Sequence, residues 1–316
     1  MSTMEREGVV DIPPVPLPEH AKLEQGYLSN GLKYVILPNG VPSGRFEAHL
    51  EVLSGSAFEL ERQQGMAHLL EHVVYMGSPK RQLISGTGSR TNAYTDFHHT
   101  VFFAACPTQT PDQYWKKPMM PMAFDALIDV MTTTVDEDRM EKERAAVLSE
   151  ASMVNKMEYR VECQVLGALH KENRISRRFP IGQEELIKRW TKEEVQLYHS
   201  MHYRPDNVVL YVVGDVDVGE TKKLINQKFG SLKPKLDADS LLKESGEFPS
   251  NSMHSVNPHF PPVVHEWSCD MPTAQGLTVL PKGLPVTDDS KVLMTPEVLA
   301  QQALVDEEAG QIVPAP

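Results

Sequence analysis

The chain has 316 residues, of which 41% are hydrophobic and 23% are charged, a composition typical of a globular protein with a sizeable core. Its formal net charge of -12 disfavours a nucleic-acid-binding surface and favours basic partners. No run of 18 apolar residues is present, and residues 1–20 contain no apolar segment typical of a secretory signal. We therefore expect neither a membrane span nor a secreted protein.

The three cysteines point to a reducing compartment. Cys106, Cys163 and Cys269 lie far apart, are odd in number and form no CxxC pair. A disulfide framework is therefore not expected.

Turn signals and side-chain alternation define the N-terminal part of the chain. Residues 1–20 are charged and rich in proline, which is typical of an irregular arm. Asn-Gly pairs at 30–31 and 39–40 are turn signals on either side of a predicted strand at 33–38. Apolar residues then alternate over 46–52, which is the period of a half-buried strand.

Helical spacing begins in the segment GMAHLLEHVVYMGS, which predicts a helix at 62–76. The segment at 90–106, RTNAYTDFHHTVFFAAC, is rich in residues that favour strands. Further elements are predicted as helices at 121–135, 138–156, 158–170, 183–189, 192–202 and 218–229, and as a buried strand at 207–217. Strands thus lie before and after a block of helices, which indicates an α+β domain at 21–232.

The composition changes from about residue 233, where Pro, Ser, Asn and charged residues replace the periodic patterns. We predict a linker and an irregular tail at 233–316, with a short strand near 263–267 and one amphipathic helix at 295–310. This tail has too few periodic elements for a second domain, so we interpret it as the start of a truncated further region.

The sequence HLLEH places His68 and His72 four residues apart, with Glu71 between them. Residues four apart share one face of a helix, so both imidazoles can reach one ion. HxxEH is the inverted form of the HExxH zinc peptidase motif, in which a carboxylate takes a proton from a metal-activated water. The alternative is a helix with two packed or solvated histidines.

A third ligand is offered by the predicted helix at 138–156. Glu143 and Glu150 are seven residues apart in it and share one face. One of them could bind the ion while the other supports a ligand imidazole. The alternative is a charged helix whose glutamates face solvent.

The HxxEH motif is followed by the segment ERAAVLSE, in which Glu150 lies 78 residues after His72. This combination resembles the pitrilysin/insulin-degrading-enzyme family of zinc peptidases. The resemblance implies an α+β fold with a mixed, largely antiparallel sheet and helices packed on one face. It implies that Zn²⁺ is bound by His68, His72 and Glu150, that Glu71 is the general base, and that Glu143 supports a ligand.

The segment TNAYTDFHHTVFF resembles the edge strand of that family, and Asn92 and Ala93 match its substrate-binding pair. The resemblance implies that a peptide substrate adds itself there as an extra strand. The alternative for Asn92 is a turn or strand-entry residue. His98 and His99 are expected to be structural, because neighbouring strand residues point to opposite faces.

Three longer tracts, GTGSRTNAYTDFHHTVFF, VLSEASMVNKMEYRVECQ and RRFPIGQEELIKRW, resemble the branch of the family that processes precursor proteins in the plastid stroma. The resemblance implies a basic peptide or precursor-protein substrate, no nucleic-acid partner, and a plastid location, although no transit peptide is visible. Family members are typically built as two halves, so we expect a second half or a partner chain. The alternative is a non-catalytic zinc-binding module for peptide recognition or assembly.

Overall fold

A six-stranded sheet runs through the fold, with helices against it. The computed structural model describes residues 20–111, 116–170 and 174–236. The strands are β1 Glu24–Tyr27, β2 Lys33–Pro38, β3 Arg45–Val52, β4 Arg90–Thr95, β5 Thr100–Pro107 and β6 Val208–Gly214. The α-helices are α1 Met66–Gly77, α2 Pro79–Leu83, α3 Met120–Thr132, α4 Glu137–Val154, α5 Met157–Leu169, α6 Glu184–Ile187, α7 Lys192–His202 and α8 Val218–Phe229.

The spatial order of the strands is β1-β2-β6-β3-β5-β4. β2 and β6 are parallel, and every other neighbouring pair is antiparallel. Leu50, in the middle of β3, is level with Phe102 of β5 and with Leu210 of β6. The predicted α+β class with a mixed, largely antiparallel sheet is confirmed. β1 and β4 form the two edges of this sheet.

One face of the sheet is apolar and is covered by helices. Alternate residues of β3 are buried, namely Phe46, Ala48, Leu50 and Val52. Glu47, which lies between them, is exposed. α1 contacts β4 and β5, α3 contacts β3 and β5, and α8 contacts β2. The hydrophobic core therefore lies between this face and these helices, as the predicted arrangement requires.

The helix predicted at 62–76 is shorter in the structure. Glu61–Gln63 form a separate 3-10 turn, and Gly65 adopts a left-handed conformation with φ of 101°. A left-handed residue interrupts the helical hydrogen-bond ladder, so α1 begins only at Met66. Apolar periodicity alone does not show this interruption.

The segment 90–106 contains two strands and a turn rather than one strand. Asp96 Oδ1 accepts hydrogen bonds of 2.7 and 2.9 Å from the backbone N–H groups of His98 and His99. These bonds stabilise the turn between β4 and β5. The prediction that the two histidines alternate along a strand is therefore wrong. The ring of His99 lies 3.2 Å from Glu51 Oε1 and 3.0 Å from Asp96 Oδ2.

The other predicted helices agree with the structure to within a few residues at each end. Cys106 and Cys163 are free thiols, whereas Cys269 lies outside the described residues. The strand predicted near 263–267 and the helix predicted at 295–310 lie outside the described residues as well, and the domain limits remain predictions. None of the described helices has the length and apolarity needed to cross a membrane.

Candidate metal centre

The three predicted zinc ligands lie close together between α1 and α4. Glu150 Oε2 lies 3.6 Å from Nε2 of His68 and 3.4 Å from Nε2 of His72. The two imidazole rings are nearly perpendicular, with centroids 4.8 Å apart. One ligand atom from each of the three residues lies within 4.8 Å of the other two. The helical spacing thus brings both histidines to one side of α1, and α4 adds the carboxylate.

The geometry of this cluster fits a zinc ion. Zinc has bond lengths of about 2.0–2.2 Å to nitrogen and oxygen, so tetrahedral ligand atoms lie roughly 3.4 Å apart. The nitrogen–oxygen distances of 3.4 and 3.6 Å match that value and are long for hydrogen bonds. Two imidazole nitrogens and one carboxylate oxygen are a typical catalytic zinc donor set, which leaves a fourth position for water or substrate.

Burial keeps one ligand in the form that binds metal. His68 is only 8% exposed, and this burial, with a smaller contribution from neighbouring His72, lowers the pKa of His68 to about 4. The imidazole is therefore neutral at physiological pH, and only a neutral imidazole can bind a metal ion. Nδ1 of His68 is buried and has no hydrogen-bond partner among the described residues.

Glu71 is a buried carboxylate beside the cluster. Burial raises the pKa of Glu71 to about 7, a hydrogen bond from Thr95 opposes this shift, and the charge of Glu150 adds to it. Thr95 Oγ1 donates that hydrogen bond to Glu71 Oε2 at 3.2 Å. A carboxylate with a pKa near neutrality can both accept and return a proton. Thr95 is not among the site residues predicted from the sequence.

Glu143 lies on the other side of the His72 ring. Its Oε2 is 3.6 Å from Nδ1 of His72, and its Oε1 accepts a hydrogen bond of 3.3 Å from Nη1 of Arg139. Glu143 is 6% exposed, so the alternative of a solvated glutamate does not apply to it. The distance is too long for a hydrogen bond, but the carboxylate of Glu143 faces the His72 nitrogen that points away from Glu150 and can stabilise the ring by its charge.

The two predicted substrate-binding residues, Asn92 and Ala93, lie on the edge strand β4. Among the described residues, β4 pairs only with β5, so its outer side is open. Ala93 packs against the hydrophobic core, whereas the side chain of Asn92 is exposed. Thr95, at the end of the same strand, connects this edge to Glu71.

Comparison with known proteins agrees with this geometry. Residues 34–179 match the family model "Insulinase (Peptidase family M16)", and residues 189–266 match "Peptidase M16 inactive domain". The chain is 50% identical over 214 residues to "Stromal processing peptidase, chloroplastic" of Oryza sativa subsp. japonica, which is 67% of this chain and 17% of the relative. The Arabidopsis thaliana protein of the same description is 52% identical over 202 residues, 64% of this chain and 16% of that protein.

More distant relatives and solved structures that match this chain are also proteases. "Probable zinc protease PqqL" of Haemophilus influenzae is 27% identical over 275 residues, covering 83% of this chain and 27% of that protein. The crystal structure of the periplasmic protease PqqL from Escherichia coli matches with a TM-score of 0.64 and 25% identity, over 71% of this chain and 25% of that one. A protease from Helicobacter pylori matches with a TM-score of 0.60 and 25% identity, over 69% and 52% of the two chains. The chain thus spans only 16–17% of the length of the rice and Arabidopsis stromal processing peptidases.

Proposed function

Because the chain belongs to the insulinase family of peptidases, peptidase family M16, we propose that it is a zinc-dependent endopeptidase. The observation that carries this proposal is the convergence of His68, His72 and Glu150 within 4.8 Å of one another, beside the buried carboxylate of Glu71. A module that only binds zinc has no need for a buried carboxylate at that position.

The side chains around the ligands have separate roles in the proposed reaction. A zinc ion held by His68, His72 and Glu150 would supply Lewis acidity, which would polarise the scissile carbonyl and lower the pKa of water. Glu71 accepts the proton of the attacking water and returns it to the nitrogen of the leaving amine. Thr95 orients the carboxylate of Glu71, and Glu143 holds the ring of His72.

The edge strand β4 is the proposed site of substrate alignment. An extended peptide that pairs with the outer side of β4, at Asn92 and Ala93, forms main-chain hydrogen bonds that are independent of its sequence. The same strand ends at Thr95, which contacts Glu71. A peptide held along this edge is therefore directed towards the general base.

The substrate class proposed is a basic precursor segment of the transit-peptide type, and the location proposed is the plastid stroma. The 50–52% identity to the stromal processing peptidases of rice and Arabidopsis supports both assignments. The net charge of -12 agrees with a basic substrate, because transit peptides are poor in acidic residues. Since the chain spans 16–17% of those relatives, the remaining part of the enzyme is proposed to come from a second half or a partner chain.

The test is hydrolysis of a long, basic peptide by the purified, zinc-loaded chain, with a chelator-treated sample and Glu71→Gln as controls. We expect cleavage that the chelator abolishes and that Glu71→Gln lowers by about 10²–10⁴-fold, the usual contribution of a general base. Bound zinc at one ion per chain without cleavage, and without rescue by an added second half of the family, would instead favour the non-catalytic binding module. Cleavage that survives both controls would contradict the proposed mechanism.

A further inference from the structure

A third buried glutamate, Glu59, bonds to the first turn of α1. Its side chain is fully buried, and its two carboxylate oxygens accept hydrogen bonds from the backbone N–H groups of Gly65, at 2.9 Å, and Ala67, at 2.8 Å. The first N–H groups of a helix have no partner within the helix, and the residue before α1 is a glycine without a side-chain cap. Glu59 supplies the missing acceptor from six to eight residues earlier in the chain.

The segment at Gly182 packs closely against the backbone of this turn. A Cβ atom built on Gly65 would lie 2.8 Å from the Cα atom of Gly182, closer than carbon atoms approach without displacement. Next to this contact, the N–H group of Gln183 donates a hydrogen bond of 3.1 Å to the carbonyl oxygen of Gln64. The start of α1 is therefore held both by Glu59 and by the segment at Gly182.

These contacts at the start of α1 lie directly beside a metal ligand. Ala67, whose N–H group bonds to Glu59, immediately precedes His68. A metal-binding histidine usually has its ring fixed by a hydrogen bond from its second nitrogen. Nδ1 of His68 makes no such bond among the described residues, so the position of its ring depends on the backbone that carries it.

An ionised carboxylate at this place does not favour folding. Burial raises the pKa of Glu59 from 4.5 to about 8, although the backbone hydrogen bonds and the charge of Arg178 oppose the shift. A pKa that is higher in the folded than in the unfolded state means that ionisation lowers stability as the pH rises from about 4.5 to about 8. A glutamine at this place has the same shape but carries no charge, so it does not lose stability through ionisation. Its effect on the position of His68 can therefore be measured separately from its effect on stability.

We propose that Glu59 is a positioning residue, whose two hydrogen bonds to the first turn of α1 set the place of His68 in the metal centre. The inference rests on the proposed metal centre, and it concerns metal binding before any peptide is bound. Even when protonated, the carboxyl group of Glu59 has two oxygens that can accept hydrogen bonds. A glutamine at residue 59 has only one acceptor oxygen, and its NH₂ group would face one of the two N–H donors. The first turn then shifts, and His68 moves with it.

The experiment compares Glu59→Gln with the matched control Asp206→Asn in the full chain. Asp206 is also a buried carboxylate, at 2% exposure, but it pairs with Arg204 rather than with α1. Zinc affinity is measured by competition with a chromogenic chelator, and the coordination geometry by the visible spectrum of the Co²⁺-loaded protein. Thermal unfolding of the metal-free proteins reports stability.

We expect Glu59→Gln to weaken zinc binding by about 10- to 100-fold and to change the Co²⁺ spectrum, as loss of a residue that orients a ligand does. Asp206→Asn should leave both unchanged. Equal zinc affinity in Glu59→Gln and the wild type would overturn the inference, as would an equal loss in both variants. If Glu59→Gln does not fold, Glu59→Asp, whose shorter side chain cannot reach both N–H groups, is judged by the same two outcomes. Because no peptide is involved, a wild-type chain that binds zinc but does not cleave, even with an added second half, refutes the proposed peptidase activity and leaves this test intact.

Discussion

Thr95 Oγ1 donates a hydrogen bond of 3.2 Å to Oε2 of Glu71 and thereby joins the edge strand β4 to the helix that carries both histidines. The hydroxyl of Thr95 also lies 3.3 Å from that of Thr100, which donates to the carbonyl oxygen of Ser54 at 3.0 Å. The proposed general base is oriented by the strand along which the substrate is proposed to lie.

Replacing Thr95 by valine should impair catalysis more than folding. Valine keeps the shape of threonine but cannot donate to Glu71, and a hydrogen bond to a charged group contributes about 1.5–3 kcal/mol. We expect kcat to fall by roughly 10- to 100-fold with little change in KM, measured with a basic peptide substrate.

Two variants on the same strand control for the substitution at Thr95. Thr95→Ser keeps the hydroxyl and should keep most of the activity. Thr91 lies on the same face of β4 as Thr95. Its hydroxyl hydrogen-bonds with the hydroxyl of Tyr75 at 3.0 Å rather than with Glu71. Thr91→Val should therefore match the wild type in kcat, and an equal loss in both valine variants would mean that only the packing of β4 matters.

Glu143→Gln should weaken zinc binding without removing a ligand. Glu143 Oε2 faces Nδ1 of His72 at 3.6 Å, and a neutral amide there supports the imidazole less well than a carboxylate. We expect a loss of about 10- to 100-fold in zinc affinity, measured by chelator competition. Glu141→Gln is the matched control, because Glu141 lies on the same helix, is 56% exposed and pairs with Arg144. The assignment fails if the two variants bind zinc equally well.

Local spacing predicted the half of the metal centre that lies on one helix. His68, Glu71 and His72 are within a single turn, and helical geometry alone places both histidines on one side. The spacing of Glu143 and Glu150 showed that they share a face, but it left open which of them would bind metal. The choice of Glu150 came from the family resemblance, and in the structure Glu150 lies 3.4 Å from Nε2 of His72.

The supporting residues could not be predicted, because their contacts depend on tertiary packing. Thr95 and Glu71 lie on different elements, and only the docking of α1 against β4 brings them together. The alternation of β4 does place Thr95 on the same face as Ala93, which is the one signal that could have identified it. Glu59 reaches α1 around the 3-10 turn Glu61–Gln63, a turn that apolar periodicity does not predict.

The stability of the fold should decrease in acid partly because His199 cannot take up a proton. Burial lowers the pKa of His199 to about 3, the charge of Lys235 adds to the shift, and the hydrogen bond to the Val130 carbonyl opposes it. An unfolded histidine has a pKa of about 6.5. Between these values the unfolded state binds a proton that the folded state does not, so stability falls as the pH falls through this range.

His199→Gln keeps a donor for the Val130 carbonyl and removes the titrating group. When the pH is lowered from about 7 to about 5, the wild type should lose ~2 kcal/mol more unfolding free energy than the variant does. Urea unfolding with a chelator present measures this difference without a contribution from zinc. The other titrating groups are common to both proteins and cancel. A difference that is independent of pH would mean that His199 is not protected from protonation in the fold.

Substrate pairing with β4 should depend on alternate amide groups of the peptide. In a strand, successive N–H groups point to opposite sides, so only every second N–H of a bound peptide can bond to β4. N-methylation of one alternate set should raise the inhibition constant of a competing peptide by roughly 5-fold for each hydrogen bond lost, whereas methylation of the other set should have little effect. The two peptides have the same composition, so each is the control for the other. Equal inhibition by both would exclude main-chain pairing at Asn92 and Ala93 and would favour recognition of the substrate through its side chains.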